Sequence, residues 1–187
     1  MGGLDMDKAY FFEKKGYAVL DINKDYLPKL IKLKRTIENE TINNLSKNEN
    51  FSLEKFHKFK LKKLSLNQFR MSMISKINKQ KNLKLDIYNS INNVLDKCLG
   101  PDIVVQKNIN LVIQKPKDKD RAPFHKDAPA NSNYEIVVWV PLVDCYDTMS
   151  MCIFDVSKHK KSKRFLKKNN SPIKFDKYSK KEGVLPN

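Results

Sequence analysis

Tyr134-Glu-Ile-Val-Val-Trp-Val-Pro-Leu-Val143 is rich in β-branched and aromatic residues and reads as a well-buried strand. Pro141 lacks a backbone donor, so it marks an edge or a bulge near the strand's end. Upstream, Ile103-Val-Val105 and Ile109-Asn-Leu-Val-Ile113 have the same composition. A charged loop follows over residues 116–121, then a short strand over 122–127 that enters the turn at 129–133. Downstream, residues 144–148 form a turn and residues 150–156 a further strand. Several short strands joined by turns predict an antiparallel sandwich or barrel.

The first hundred residues have a different period. Residues 7–20 open on Asp7 as a possible N-cap and carry Ala9, Phe11 and Phe12, with Gly16 as a left-handed C-cap before Tyr17-Ala-Val-Leu20, which reads as a short strand. Leu27, Leu30, Ile31, Leu33, Ile37 and Ile42 recur at a helical spacing within residues 24–45. Residues 52–65 carry a second stripe, and residues 84–99 a third that Gly100-Pro101 ends. The expected organisation is one domain over residues 1–187, with a mainly helical support in 1–100 and β-core strands plus a Lys-rich loop in 101–187.

A chain of 187 residues can bury a core without disulfides. It has no run of 18 apolar residues, so no spanning helix and no membrane partner are expected. Its opening, Met1-Gly-Gly-Leu-Asp-Met6, lacks the apolar stretch of a secretory signal and matches a myristoylation box only at Gly2. The net charge is +16, yet 33 of the 37 basic residues are Lys and four are Arg (Arg35, Arg70, Arg121 and Arg164). Base edges and bidentate phosphate contacts favour Arg, so nucleic acid is not the expected partner, and the charge reads first as a solvated surface. Residues 157–181 extend that charge as a Lys-rich stretch that reads as a solvated loop. Cys98, Cys145 and Cys152 form no CxxC pair, which fits a reduced, cytoplasmic protein with small buried thiols.

Chemistry concentrates at His125. The chain has three His (His57, His125 and His159), and His57 reads as an ordinary side chain on a basic helix. In an extended segment, His125 and Asp127 project to one face and can address one metal ion. An imidazole and a carboxylate placed so, joined by a second imidazole, form the facial triad of non-haem Fe(II) oxygenases, which keeps positions open for cosubstrate and dioxygen. Three His and 14 Asp in this length give about 0.2 such pairs by chance. The surrounding sequence therefore has to carry the reading.

Phe124-His-Lys-Asp127 is followed by a turn, by Ile136-Val-Val-Trp-Val-Pro-Leu-Val-Asp144, and by Ser150-Met-Cys-Ile-Phe-Asp-Val-Ser-Lys-His-Lys160. This order resembles the phytanoyl-CoA dioxygenase-like branch of the 2-oxoglutarate/Fe(II) oxygenases, as does the helix, Gly-Tyr, strand opening Phe11-Phe-Glu-Lys-Lys-Gly-Tyr-Ala-Val-Leu20. His-Lys-Asp-Ala-Pro-Ala-Asn-Ser-Asn133 also resembles oxygenases of bacterial surface-carbohydrate biosynthesis. The likeness covers about residues 8–22 and 101–160.

The resemblance implies an α+β chain whose core is a double-stranded β-helix, the cupin-like jelly roll, holding Fe(II) and 2-oxoglutarate. It implies a hydroxylase acting with dioxygen on a small metabolite or carbohydrate precursor. His125 and Asp127 match the first two metal ligands, and Trp139 matches a position lining the cosubstrate pocket, against plain core packing as the other reading. Gln114, on the strand expected before the His125–Asp127 loop, is a further candidate for cosubstrate contact under the resemblance. Asp127 favours hydroxylation, because related halogenases carry a small residue there. Val156-Ser-Lys-His-Lys160 lacks the Pro-Gly of the matching family element, and His159 falls before the strand that bears the family's third ligand and its cosubstrate-pairing Arg. The jelly roll is thus expected to be incomplete at the C-terminus, as in a fragment or truncated gene product. The other expectations are a basic module for nucleic acid or an acidic polymer, and a β-barrel relative without catalysis.

Overall fold

The computed structural model describes residues 2–47, 50–116, 118, 135–146 and 153. They contain five α-helices: α1 (Gly2–Lys15), α2 (Leu27–Asn43), α3 (Leu66–Asn78), α4 (Leu83–Asn89) and α5 (Asn92–Leu99), with a 3-10 helix at Leu53–Lys58. None of the described helices is long and apolar enough to cross a membrane. The chain divides into two compact units, one of Met1–Leu20, Asn93–Pro101 and Ala122–Asn187, the other of Asp21–Asn92 and Asp102–Arg121.

The second unit is built on α2 against α3. Leu30, Leu33, Ile37 and Thr41 are the buried positions of α2, and Phe69, Met73 and Ile77 those of α3. Spacings of three and four residues bring each set to one side of its helix. Thr41 is polar within this core, but its hydroxyl donates to the Ile37 carbonyl at 2.6 Å, so its burial leaves no unmade hydrogen bond. Phe56, from the 3-10 helix, stacks on Phe69 with ring centroids 5.8 Å apart.

Ser65 starts α3 with a capping box. Its hydroxyl accepts from the Gln68 backbone N–H at 3.2 Å, while the Gln68 side chain accepts from the Ser65 N–H at 2.9 Å. Ser65→Ala is expected to cost about 1 kcal/mol of stability in urea unfolding, since one helix donor is lost to solvent competition. A change under about 0.3 kcal/mol would show that the box contributes nothing.

The helical stops fall where glycine permits a left-handed residue. Gly16 (φ 81°) follows α1, and its N–H donates to the Phe12 carbonyl at 2.7 Å. Gly100 (φ 84°) follows α5. The stripe expected as one helix over 84–99 is instead two helices parted at Ser90, whose hydroxyl turns back onto the Ile87 carbonyl at 2.6 Å. Residues 52–65 give one 3-10 turn and then an isolated antiparallel bridge between Leu45 and Leu61.

The double-stranded β-helix is not found. Among the described residues there is no sheet, and residues 102–116 and 135–146 carry no paired strand. The physical reason is visible in 103–115, where helix side chains take the backbone groups that a neighbouring strand would have used. The Asn78 amide donates to the Ile109 carbonyl at 2.8 Å and accepts from its N–H at 2.7 Å, as a peptide group would. Arg70 Nε donates to the Ile113 carbonyl at 2.7 Å, and Lys84 Nζ to the Lys107 carbonyl at 2.7 Å. The β-branched residues of this stretch are not core: Val104 is 97% exposed, and Val105 and Val112 are exposed too.

Candidate functional site

His125 and Asp127, the expected first two iron ligands, lie outside the described residues, as do His159, Cys152, Arg121 and Arg164. Among the described residues, no group of three or more His, Cys, Asp or Glu side chains could hold a metal ion. His57 is exposed on the 3-10 helix, as an ordinary surface imidazole would be.

The two expected cosubstrate contacts belong to different units. Trp139 sits in the first unit at 39% exposure, in a stretch where Val137 and Val138 are also exposed. Its indole is therefore not sealed in a core among the described residues. Gln114 sits in the second unit, exposed, between Ile113, whose carbonyl is held by Arg70, and Lys115.

Cys98 and Cys145 are free thiols, both partly buried. Burial pushes the Cys98 thiol up, and burial followed by the neighbouring Asp144 carboxylate pushes Cys145 up. Both are therefore protonated at neutral pH, the reverse of an activated nucleophile. Cys145 donates weakly to the Val143 carbonyl at 3.4 Å.

Two shallow clefts mark the second unit. One, of about 270 Å³, is lined by Ile74, Ser75, Asn78, Lys79 and Asn108; the other, of about 320 Å³, by Asn82, Lys84, Leu85, Tyr88 and Val105. Neither lining includes an imidazole, a thiol or a carboxylate.

Several polar arrangements were not anticipated from the sequence. Arg70 and Asp118 form an ion pair with little side-chain exposure, 13% and 9%. Lys115 reaches the Phe59 carbonyl at 2.6 Å with its ammonium 4.4 Å from the Phe56 ring centre, and burial lowers its pKa. The signal for the first was the rarity of Arg in a chain whose cations are otherwise Lys. No protein-family model, curated protein or solved structure matches the chain.

Proposed function

We propose that this chain supplies two iron ligands of an Fe(II)/2-oxoglutarate-dependent hydroxylase acting on a small metabolite or carbohydrate precursor. One observation supports the reading: His125-Lys-Asp127 is followed, in order, by the Trp139-bearing apolar run ending in Asp144 and by Ser150-Met-Cys-Ile-Phe-Asp155. The proposal rests on that order of residues and not on a barrel.

The donor set of the pair fits the metal. A neutral imidazole and a carboxylate together suit Fe(II), and a Zn²⁺ structural site would draw on more thiolate or imidazole. Fe(II) with 2-oxoglutarate couples decarboxylation of the cosubstrate to hydroxylation of a C–H bond. Asp127 would hold the metal through its carboxylate, which favours hydroxylation over the halogenation of relatives with a small residue there. His125 would supply a nitrogen donor to the metal. Trp139 and Gln114 are proposed to wall and contact the cosubstrate. The match assigns no residue of this chain to the third ligand position. Three cysteines without paired spacing support a reducing, cytoplasmic setting.

His125→Ala is the test. In anaerobic titrations with Fe(II) and 2-oxoglutarate, the unaltered chain is expected to develop a metal-to-cosubstrate absorption band, and the variant to bind iron at least roughly 100-fold more weakly. Iron held by the variant as tightly as by the unaltered chain would reject the assignment.

A further inference from the structure

Ile109-Asn-Leu-Val-Ile-Gln-Lys115 runs beside α3 in the opposite direction. Asn78, at the end of α3, grips both backbone groups of Ile109, and Arg70, two turns earlier, holds the Ile113 carbonyl. Eight helical residues span about 12 Å, and four extended residues span about 13 Å. The two pins therefore match an extended chain with no slack between them. Exposure alternates as such a chain requires: Ile109, Leu111, Ile113 and Lys115 are half-buried, while Asn110, Val112 and Gln114 are exposed.

A third tie lies beyond the pins. The Lys115 ammonium reaches the Phe59 carbonyl at 2.6 Å and stands 4.4 Å from the Phe56 ring centre. The chain turns at Pro116, the Asp118 N–H donates to the Lys115 carbonyl at 3.0 Å, and the Asp118 carboxylate comes back to Arg70. These ties support one another. A chain held at one pin presents the next at a high effective concentration, and that advantage goes when the first is lost. The covered side of this segment is nevertheless only half-buried, whereas Phe69, Met73 and Ile77 of α3 are 1–3% exposed. Lifting the segment uncovers far less apolar surface than parting α2 from α3.

We propose that residues 109–116 and Asp118 form a strap that lifts from α3 as one unit while α2 and α3 stay packed, with Lys115 as its latch. Lifted, the strap bares the Phe56 ring face and the Phe59 carbonyl, both in the aromatic cluster that Phe51 joins edge-on. The strap is thus a cover for that cluster, built into the same unit. It is independent of the iron reading, since neither His125 nor Asp127 takes part.

Amide exchange in the full chain, followed by NMR, reads the strap at both ends. The probes are the Ile109 N–H, held by Asn78, and the Asp118 N–H, held by the Lys115 carbonyl, against the Met73 N–H within α3. Both strap amides are expected to exchange at least about tenfold faster than Met73. Ile37→Val trims a buried α2 side chain, so it is expected to speed Met73 about fivefold and to leave the strap amides unchanged, because the lifted state keeps that core. Lys115→Ala is expected to speed Ile109, and Asn78→Ala to speed Asp118, each about tenfold, although neither probe touches the altered side chain. Circular dichroism matching the unaltered chain shows that each variant is folded. Ile37→Val speeding the strap amides as much as Met73 would mean that the strap parts only in global unfolding. A tie variant that leaves the opposite end unchanged would mean that the ends fray separately. Either result overturns the proposal.

Discussion

Arg70→Ala is expected to destabilise the chain by about 3–5 kcal/mol in urea unfolding followed by helical circular dichroism. The guanidinium pairs with Asp118 where both side chains are nearly covered, and its Nε donates to the Ile113 carbonyl. One α3 side chain thus fixes two points of the segment leading away from residues 103–113. Truncating it takes the guanidinium away from the Asp118 carboxylate, which has little solvent to replace it, and removes a donor from the Ile113 carbonyl, and both losses have the same sign. The pair itself is not a large net gain, since two charges had to be desolvated to form it. Arg70→Met/Asp118→Leu is therefore expected to cost less than Arg70→Ala alone. Arg70→Lys keeps the charge but loses the second N–H direction, so its cost falls between. A loss under about 1 kcal/mol for Arg70→Ala would place the pair in the solvent-screened class of surface ion pairs.

Arg70 also shows where the sequence was readable. The periodic stripe of α2 and the glycine stops at Gly16 and Gly100 were legible because they are local: each depends on residues within a few positions. The α3 helix was missed although its signals were present, Ser65 and Gln68 at capping-box spacing and Phe69, Met73 and Ile77 four apart. Asn67, Ser72 and Ser75 dilute the apolar stripe there, so hydropathy alone gives a weak period. Residues 103–113 misled for the opposite reason. Their β-branched composition reports that a side chain would suit a pleated surface, but a strand exists only if another strand pairs with it. Here Asn78, Arg70 and Lys84, 23–43 positions away in sequence, took the backbone groups instead, and no pattern within the segment encodes that. Of the expected site, Trp139 and Gln114 are described and exposed, while the His125 and Asp127 pair falls outside the described residues.

Phe69→Ala is expected to cost about 3–5 kcal/mol, comparable to the loss at Arg70 but by a different mechanism. Phe69 is 1% exposed and lies between the α2 face and the Phe56 ring stacked at 5.8 Å. Removing the ring forfeits its transfer free energy and opens a cavity that its neighbours cannot easily fill. Met73, one turn on, is equally buried but flexible, and it is the side chain best able to lean into the gap. Phe56 cannot follow so readily, because it is held from its far side in sequence by Phe51, edge-on at 6.5 Å, and by the Lys115 ammonium near its ring. Phe69→Leu keeps most of the volume and is expected to lose about 1–2 kcal/mol. Met71→Ala, on the exposed side of the same helix, serves as the control and is expected to change stability by no more than about 0.5 kcal/mol. Equal losses at Phe69 and Met71 would mean that α3 does not present its Phe69–Met73–Ile77 side to α2. The 3-10 helix carrying Phe56 would then lose its anchor.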